Sequence, residues 1–137
     1  MILNNKIKIF LAIAAFMMAL AISLGAFGAH ALKSILDESM LKVYNTGVQY
    51  HFYNTLGLFI ATFIYALKPN SKRIFISLWL ILIGMIIFSF SLYLLAILNM
   101  PILGAITPIG GSLLIVAWLL LCFGILKSED KWKLLQS

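Results

Sequence analysis

Charged residues divide this chain at long intervals. No Asp, Glu, Lys or Arg occurs from 9 to 32, from 43 to 67, or from 74 to 126. A hydrocarbon core about 30 Å thick needs about 20 apolar residues at 1.5 Å each. The first two stretches, 24 and 25 residues long, each suit one spanning helix. The third, of 53 residues, suits two helices with a turn. Its break is placed at Asn99-Met100-Pro101, with Thr107-Pro108 opening the next helix. Thr is a good N-cap, and Pro at the first helical position loses no hydrogen bond there. The pattern therefore predicts four transmembrane helices, near 8–30, 47–67, 73–98 and 107–127, in one domain covering 1–137.

Between the first two helices, Leu32, Ile35, Leu36, Met40 and Val43 recur at helical spacing. Lys33, Asp37, Glu38 and Lys42 fall mostly on the other side. This predicts a short amphipathic helix lying in the outer interface, capped by Ser34 with Asp37 in its first turn. A second short amphipathic segment is expected at Ser128–Trp132, on the inner surface. The start of the chain has the basic residues and the Ala29-His30-Ala31 triplet of a signal peptide. Its apolar stretch exceeds the usual length of about 7–15 residues, so the first helix is expected to be retained.

Composition agrees with this pattern. Of 137 residues, 64% are hydrophobic and 10% charged, against about 45–50% and 25% in soluble domains. The net charge of +6 is spread between long uncharged stretches, which argues against nucleic acid as a partner. The lone Cys122 excludes a disulfide framework or a cysteine metal cluster. Basic residues of the short loops set the orientation. Lys6, Lys8, Lys68, Lys72, Arg73, Lys127, Lys131 and Lys133 fall on one side, with only Lys33 and Lys42 on the other. Both termini are thus expected in the cytoplasm of a bacterial cell, and the bilayer is the obligatory partner.

Lipid is as apolar as Leu, so helices in a bilayer associate through small residues and hydrogen bonds. Small or polar residues recur here every seven positions. The rows are Ala12, Ala19 and Ala26; Gly47, Asn54 and Ala61; Ser77, Gly84 and Ser91; and Gly110, Ala117 and Gly124. A period of 3.5 predicts a left-handed four-helix bundle. Phe75, Leu78, Leu82 and Phe90 would then face lipid. Gly111, beside Gly110, also allows a close backbone approach.

No charged residue falls within a predicted span, which argues against an ion-coupled pump or a voltage sensor. Enzyme signatures are missing as well: no nucleophile elbow, no HExxH and no phosphate-binding loop. What remains is a polar cluster placed toward the outer ends of the first two helices, made of His30, Tyr50, His51, Tyr53, Asn54 and Thr55. Two histidines at similar depth suggest a metal or haem site, but two ligands alone make a poor one, and no cofactor is expected. Asn54 is expected about two turns below the outer surface, facing the interior. Trp118, far from the interfacial belt where Trp is usual, needs a buried partner for its indole N–H, with Asn54 or Tyr93 at suitable depth.

Three segments in order carry a family resemblance. They are Gly25-Ala26-Phe27-Gly28-Ala29-His30, Thr46-Gly47-Val48-Gln49-Tyr50, and Thr107-Pro108-Ile109-Gly110-Gly111 with a Trp seven residues on. Together they resemble the DUF423 (UPF0382) family of small bacterial membrane proteins. The resemblance implies a four-helix inner-membrane protein and brings no established activity. The family's usual Tyr-Gln-x-Tyr-His reads Tyr50-His51-Phe52-Tyr53-Asn54 here, and its Gly before the last Trp is Ala117.

Three functions compete. The first is a non-enzymatic structural or accessory membrane component, alone or as a homo-oligomer or with another membrane protein. The second is an oligomeric transporter or channel for a small neutral solute, along Tyr50, Asn54, Thr55 and Thr62. The third is a metal- or haem-binding protein using His30 and His51.

Overall fold

The computed structural model describes residues 4–127. It consists of four long α-helices: α1 (Asn5–His30), α2 (Glu38–Leu67), α3 (Lys72–Leu98) and α4 (Pro101–Leu126), with one 3-10 turn at Leu32–Ser34. Three segments are long and apolar enough to cross a membrane: Asn5–Ser34, which takes in the 3-10 turn, then Lys72–Leu98 and Pro101–Leu126. α2 is as long, but polar residues such as Asn45, Gln49, His51 and Asn54 lower its hydropathy. The segment expected at Ser128–Trp132 lies outside the described residues.

Two boundaries differ from the sequence expectation. The amphipathic stretch in the first loop is no separate interfacial helix. From Glu38 onward it is the first part of α2, because no proline or cap interrupts the chain before Leu67. Its N-cap is Asp37, not Ser34. The Asp37 carboxylate accepts from the Met40 N–H at 2.9 Å and the Ser39 hydroxyl at 2.7 Å. Those two donors hold its carboxyl below the usual carboxylate range. Ser34 instead donates back to the Ala31 carbonyl.

α4 likewise begins early, at Pro101 rather than near 107. Asn99 ends α3 in the left-handed conformation (φ 50°, ψ 43°) that Asn tolerates, and Met100 is extended. Pro101 then takes the first-turn position that Pro108 was expected to fill. Pro108 falls inside α4 and supplies no N–H to the Gly104 carbonyl. Thr107 is therefore not a cap. Its hydroxyl lies 3.2 Å from the Leu103 carbonyl and 2.7 Å from the Ser91 hydroxyl of α3. Ser91 also approaches the Phe88 carbonyl at 2.9 Å. Two hydroxyl protons serve these three contacts, so the pair links the helices in either direction.

α2 and α3 form the centre, with α1 packed on α2 and α4 on α3. Successive helices run antiparallel. At one end Lys6 lies over Phe75 (4.8 Å), Phe10 packs edge-on to Phe75 and Trp79, and Tyr65 meets Phe75. That end gathers Lys6, Lys8, Lys68, Lys72, Arg73 and Lys127. The other end carries Lys33 and Lys42 beside Asp37 and Glu38, with Lys42 paired to Glu38 at 3.2 Å.

Three of the four small-residue rows are buried as expected: Gly47–Asn54–Ala61, Ser77–Gly84–Ser91 and Gly110–Ala117–Gly124. Ala12, Ala19 and Ala26 of α1 are exposed, and the buried row is Ala14, Ala21 and Gly28. Gly28 makes room for Tyr44, whose ring would lie 2.5 Å from a Cβ there and whose hydroxyl donates to the Leu24 carbonyl at 2.7 Å.

The expected lipid face of α3 is also corrected. Leu78 and Leu82 are buried, and Phe75 and Phe90 half-buried. Ile76, Trp79, Ile83, Ile86 and Leu94 face outward instead. α3 touches helices on several sides, which leaves it only a narrow free stripe. Leu82→Ala should therefore lower thermal stability in detergent clearly more than Ile83→Ala, because only the former leaves a void among packed atoms. Equal losses would return Leu82 to the surface.

Candidate polar site between the helices

The early start of α2 changes the depth of its polar residues. Asn54 lies 12 residues after Lys42 and 14 before Lys68. At 1.5 Å per residue that is about 18 and 21 Å from charged positions, near the middle of the helix rather than toward its outer end.

Asn54 faces the interior, as its polarity requires, and is 6% exposed. Its side-chain oxygen accepts from Trp118 Nε1 at 3.2 Å, and its Nδ2 donates to the Tyr50 carbonyl at 2.9 Å. The indole N–H, a donor only, sets the orientation of the amide. Trp118 packs its six-membered ring against α2 because Gly57 has no side chain; a Cβ there would come within 2.6 Å of the ring. Gly57 follows Asn54 by three residues and so shares its face, a spacing that could have marked it as the seat of the indole.

His51 behaves differently. It is fully buried, with Nδ1 3.0 Å from the Tyr93 hydroxyl and its ring against Phe90. Nε2 faces the α1 backbone at Met17 without a well-formed hydrogen bond. The Met17 carbonyl is an acceptor, so the arrangement favours the tautomer with the proton on Nε2 and Tyr93 donating to Nδ1. Tyr93 in turn packs against Tyr44, with ring centroids 5.0 Å apart and the planes tilted by 43°. Its ring also lies 2.9 Å from where a Gly47 Cβ would stand.

The remaining candidates separate. His30 is exposed at the end of α1, while His51 faces Met17, 13 residues back along that helix. That is about 20 Å at 1.5 Å per residue, so the two histidines share no site. No group of three or more metal-ligating side chains occurs among the described residues. Thr55 and Thr62 are fully buried, bonded to Met85 Sδ and the Leu58 carbonyl. Tyr53 is exposed and meets the ring of Tyr50.

Tyr50, Asn54 and Trp118 do share a space. With Phe88 and Gly111 they line a recess of about 520 Å³ between α2 and α4. It opens sideways at mid-helix, where Tyr50 and Ile115 are exposed. Below it, on the other side of Trp118, a second recess of about 370 Å³ is lined by Ile64, Leu121 and Cys122.

α3 and α4 meet backbone to backbone. A Cβ on Gly110 would stand 2.8 Å from Phe88 Cα, and one on Gly84 3.1 Å from the Leu114 nitrogen. Gly124 abuts Ile74 in the same way. Gly111, by contrast, has ordinary space beside Phe88.

Comparison with known proteins accords with this architecture. The model of the family described as "Protein of unknown function (DUF423)" matches residues 24–111, from the end of α1 into α4. The UPF0382 membrane protein YwdK of Bacillus subtilis is 40% identical over 120 residues, covering 88% of this chain and 98% of that protein. A UPF0382 membrane protein of Haemophilus influenzae is 37% identical over 129 residues, covering 93% and 99%. One from Staphylococcus epidermidis is 38% identical over 120 residues, covering 88% and 97%. No solved structure matches the chain. With this agreement running through all four helices, the chain belongs to the DUF423 (UPF0382) family of membrane proteins.

Proposed function

We propose that the chain crosses the bacterial inner membrane four times with both termini in the cytoplasm, and serves there as a structural or accessory component rather than an enzyme. The fourth crossing is α2. α1 and α3 begin at the same end, so the chain between them must return through the bilayer. Among the described residues six bases gather at that end, while the other carries two bases with two acids, and basic loops stay in the cytoplasm. The 3.5-residue period of the buried rows supports left-handed crossings.

The observation that carries the functional reading is how the buried polar groups are used. Trp118–Asn54, His51–Tyr93 and Ser91–Thr107 each join two helices, the work of a scaffold. A solute path is the second reading, favoured by the lateral recess at Tyr50 and Asn54, which a neighbouring subunit would close. Native mass spectrometry of the protein released from bilayer nanodiscs tests the first reading. A second copy or another polypeptide retained on the chain is expected. A monomer without partners, in a protein that carries a neutral solute across proteoliposomes, would overturn it.

A further inference from the structure

We propose that the recess between α2 and α4 binds the ring of a membrane-soluble quinone. The inference rests on the four-span reading, which sets Asn54 near the bilayer midplane.

Asn54 and Tyr50 bring hydrogen-bond donors to the recess. Asn54 spends its oxygen on Trp118 and one Nδ2 proton on the Tyr50 carbonyl, and its second proton has no acceptor among the described residues. The Tyr50 hydroxyl likewise makes no hydrogen bond among them. A ligand bearing carbonyl oxygens would meet both donors. The rest of the lining is apolar and aromatic, with the Tyr50 and Phe88 rings 4.7 Å apart and the Trp118 indole beyond. About 520 Å³ suffices for a substituted flat ring, and the separate recess beyond Trp118 is lined by apolar side chains.

Depth selects the class. Ester carbonyls of glycerolipids lie at the edge of the hydrocarbon core, about 15 Å from its centre. They do not reach Asn54. A quinone is neutral, carries its carbonyls on a flat ring and dissolves in the hydrocarbon itself. The opening faces sideways, the direction from which such a molecule arrives.

The test uses a Trp79→Phe, Trp132→Phe variant in nanodiscs, so that Trp118 alone fluoresces, titrated with decylubiquinone. Saturable quenching is expected. Gly111→Leu, whose Cβ has ordinary space but whose side chain fills the recess, should abolish the saturable part. Tyr50→Phe should weaken binding about tenfold, the loss of one hydrogen bond. Quenching that rises linearly and is unchanged by Gly111→Leu would overturn the proposal. So would displacement of the quinone by ethyl decanoate at equal mole fraction, since the site would then read a chain and not a ring. Depth is checked separately. Lipids brominated deep in the acyl chain should quench Trp118 more than lipids brominated near the headgroup, and the reverse would refute the four-span placement itself.

Discussion

Gly110→Ala should destabilise the bundle by about 1–3 kcal/mol or more, the usual penalty for overpacking a tight contact. The added methyl would stand 2.8 Å from Phe88 Cα, and backbone cannot swing aside as a side chain can. Gly111→Ala, one residue further, meets only the edge of the Phe88 ring at 3.5 Å and should be close to neutral. The pair differs by one position in the same helix, so helix propensity changes little between them. Thermal unfolding in detergent reads the difference. Equal stability of the two variants would mean that α3 and α4 do not touch through Gly110.

The second large effect belongs to the Trp118–Asn54 bridge. Trp118→Phe removes the N–H and leaves the buried Asn54 oxygen near the middle of α2 without its donor, at a cost of about 1–3 kcal/mol. Asn54→Leu leaves the indole N–H unpaired in turn. The double variant should be less destabilised than the sum of the two, with a coupling of about 0.6–2 kcal/mol, the range for interhelical hydrogen bonds in membranes. Strict additivity would show that the two side chains do not meet.

What could be read from the sequence depended on how informative each residue type is in a bilayer. On α3 and α4 most positions are large, so Ser77, Gly84, Ser91, Gly110, Ala117 and Gly124 stand out, and all six are buried. On α1, Ala occupies every face, so the alternation could not separate the exposed Ala12–Ala19–Ala26 row from the buried Ala14–Ala21–Gly28 row. Large apolar residues tell inside from outside poorly, because lipid and protein core accept them equally. For that reason the pattern of apolar residues does not show that Leu78 and Leu82 are buried.

Helix starts failed where two signals competed. Pro101 and Pro108 both fit a first helical turn, and only the left-handed Asn99 and the Ser91–Thr107 contact distinguish them. The Trp118–Asn54 pairing was legible, since each residue was unusual at its depth and each needed a partner. The burial of His51 was not. Its level depended on α2 starting at Glu38 instead of Gly47, which brings Met17 and Tyr93 to its two sides.

The topology supports every depth in this account, and one experiment reads it directly. Single cysteines at Ser71, in the loop between α2 and α3, and at Ser39, in the first turn of α2, are placed in a Cys122→Ala background. Intact cells are then treated with an impermeant thiol reagent. The cysteine at position 39 should be labelled, while that at 71 should react only after the cells are opened. Labelling at 71 without labelling at 39 would invert the protein. Labelling of both in intact cells would show that α2 does not cross, and Asn54 would then not lie in the membrane at all.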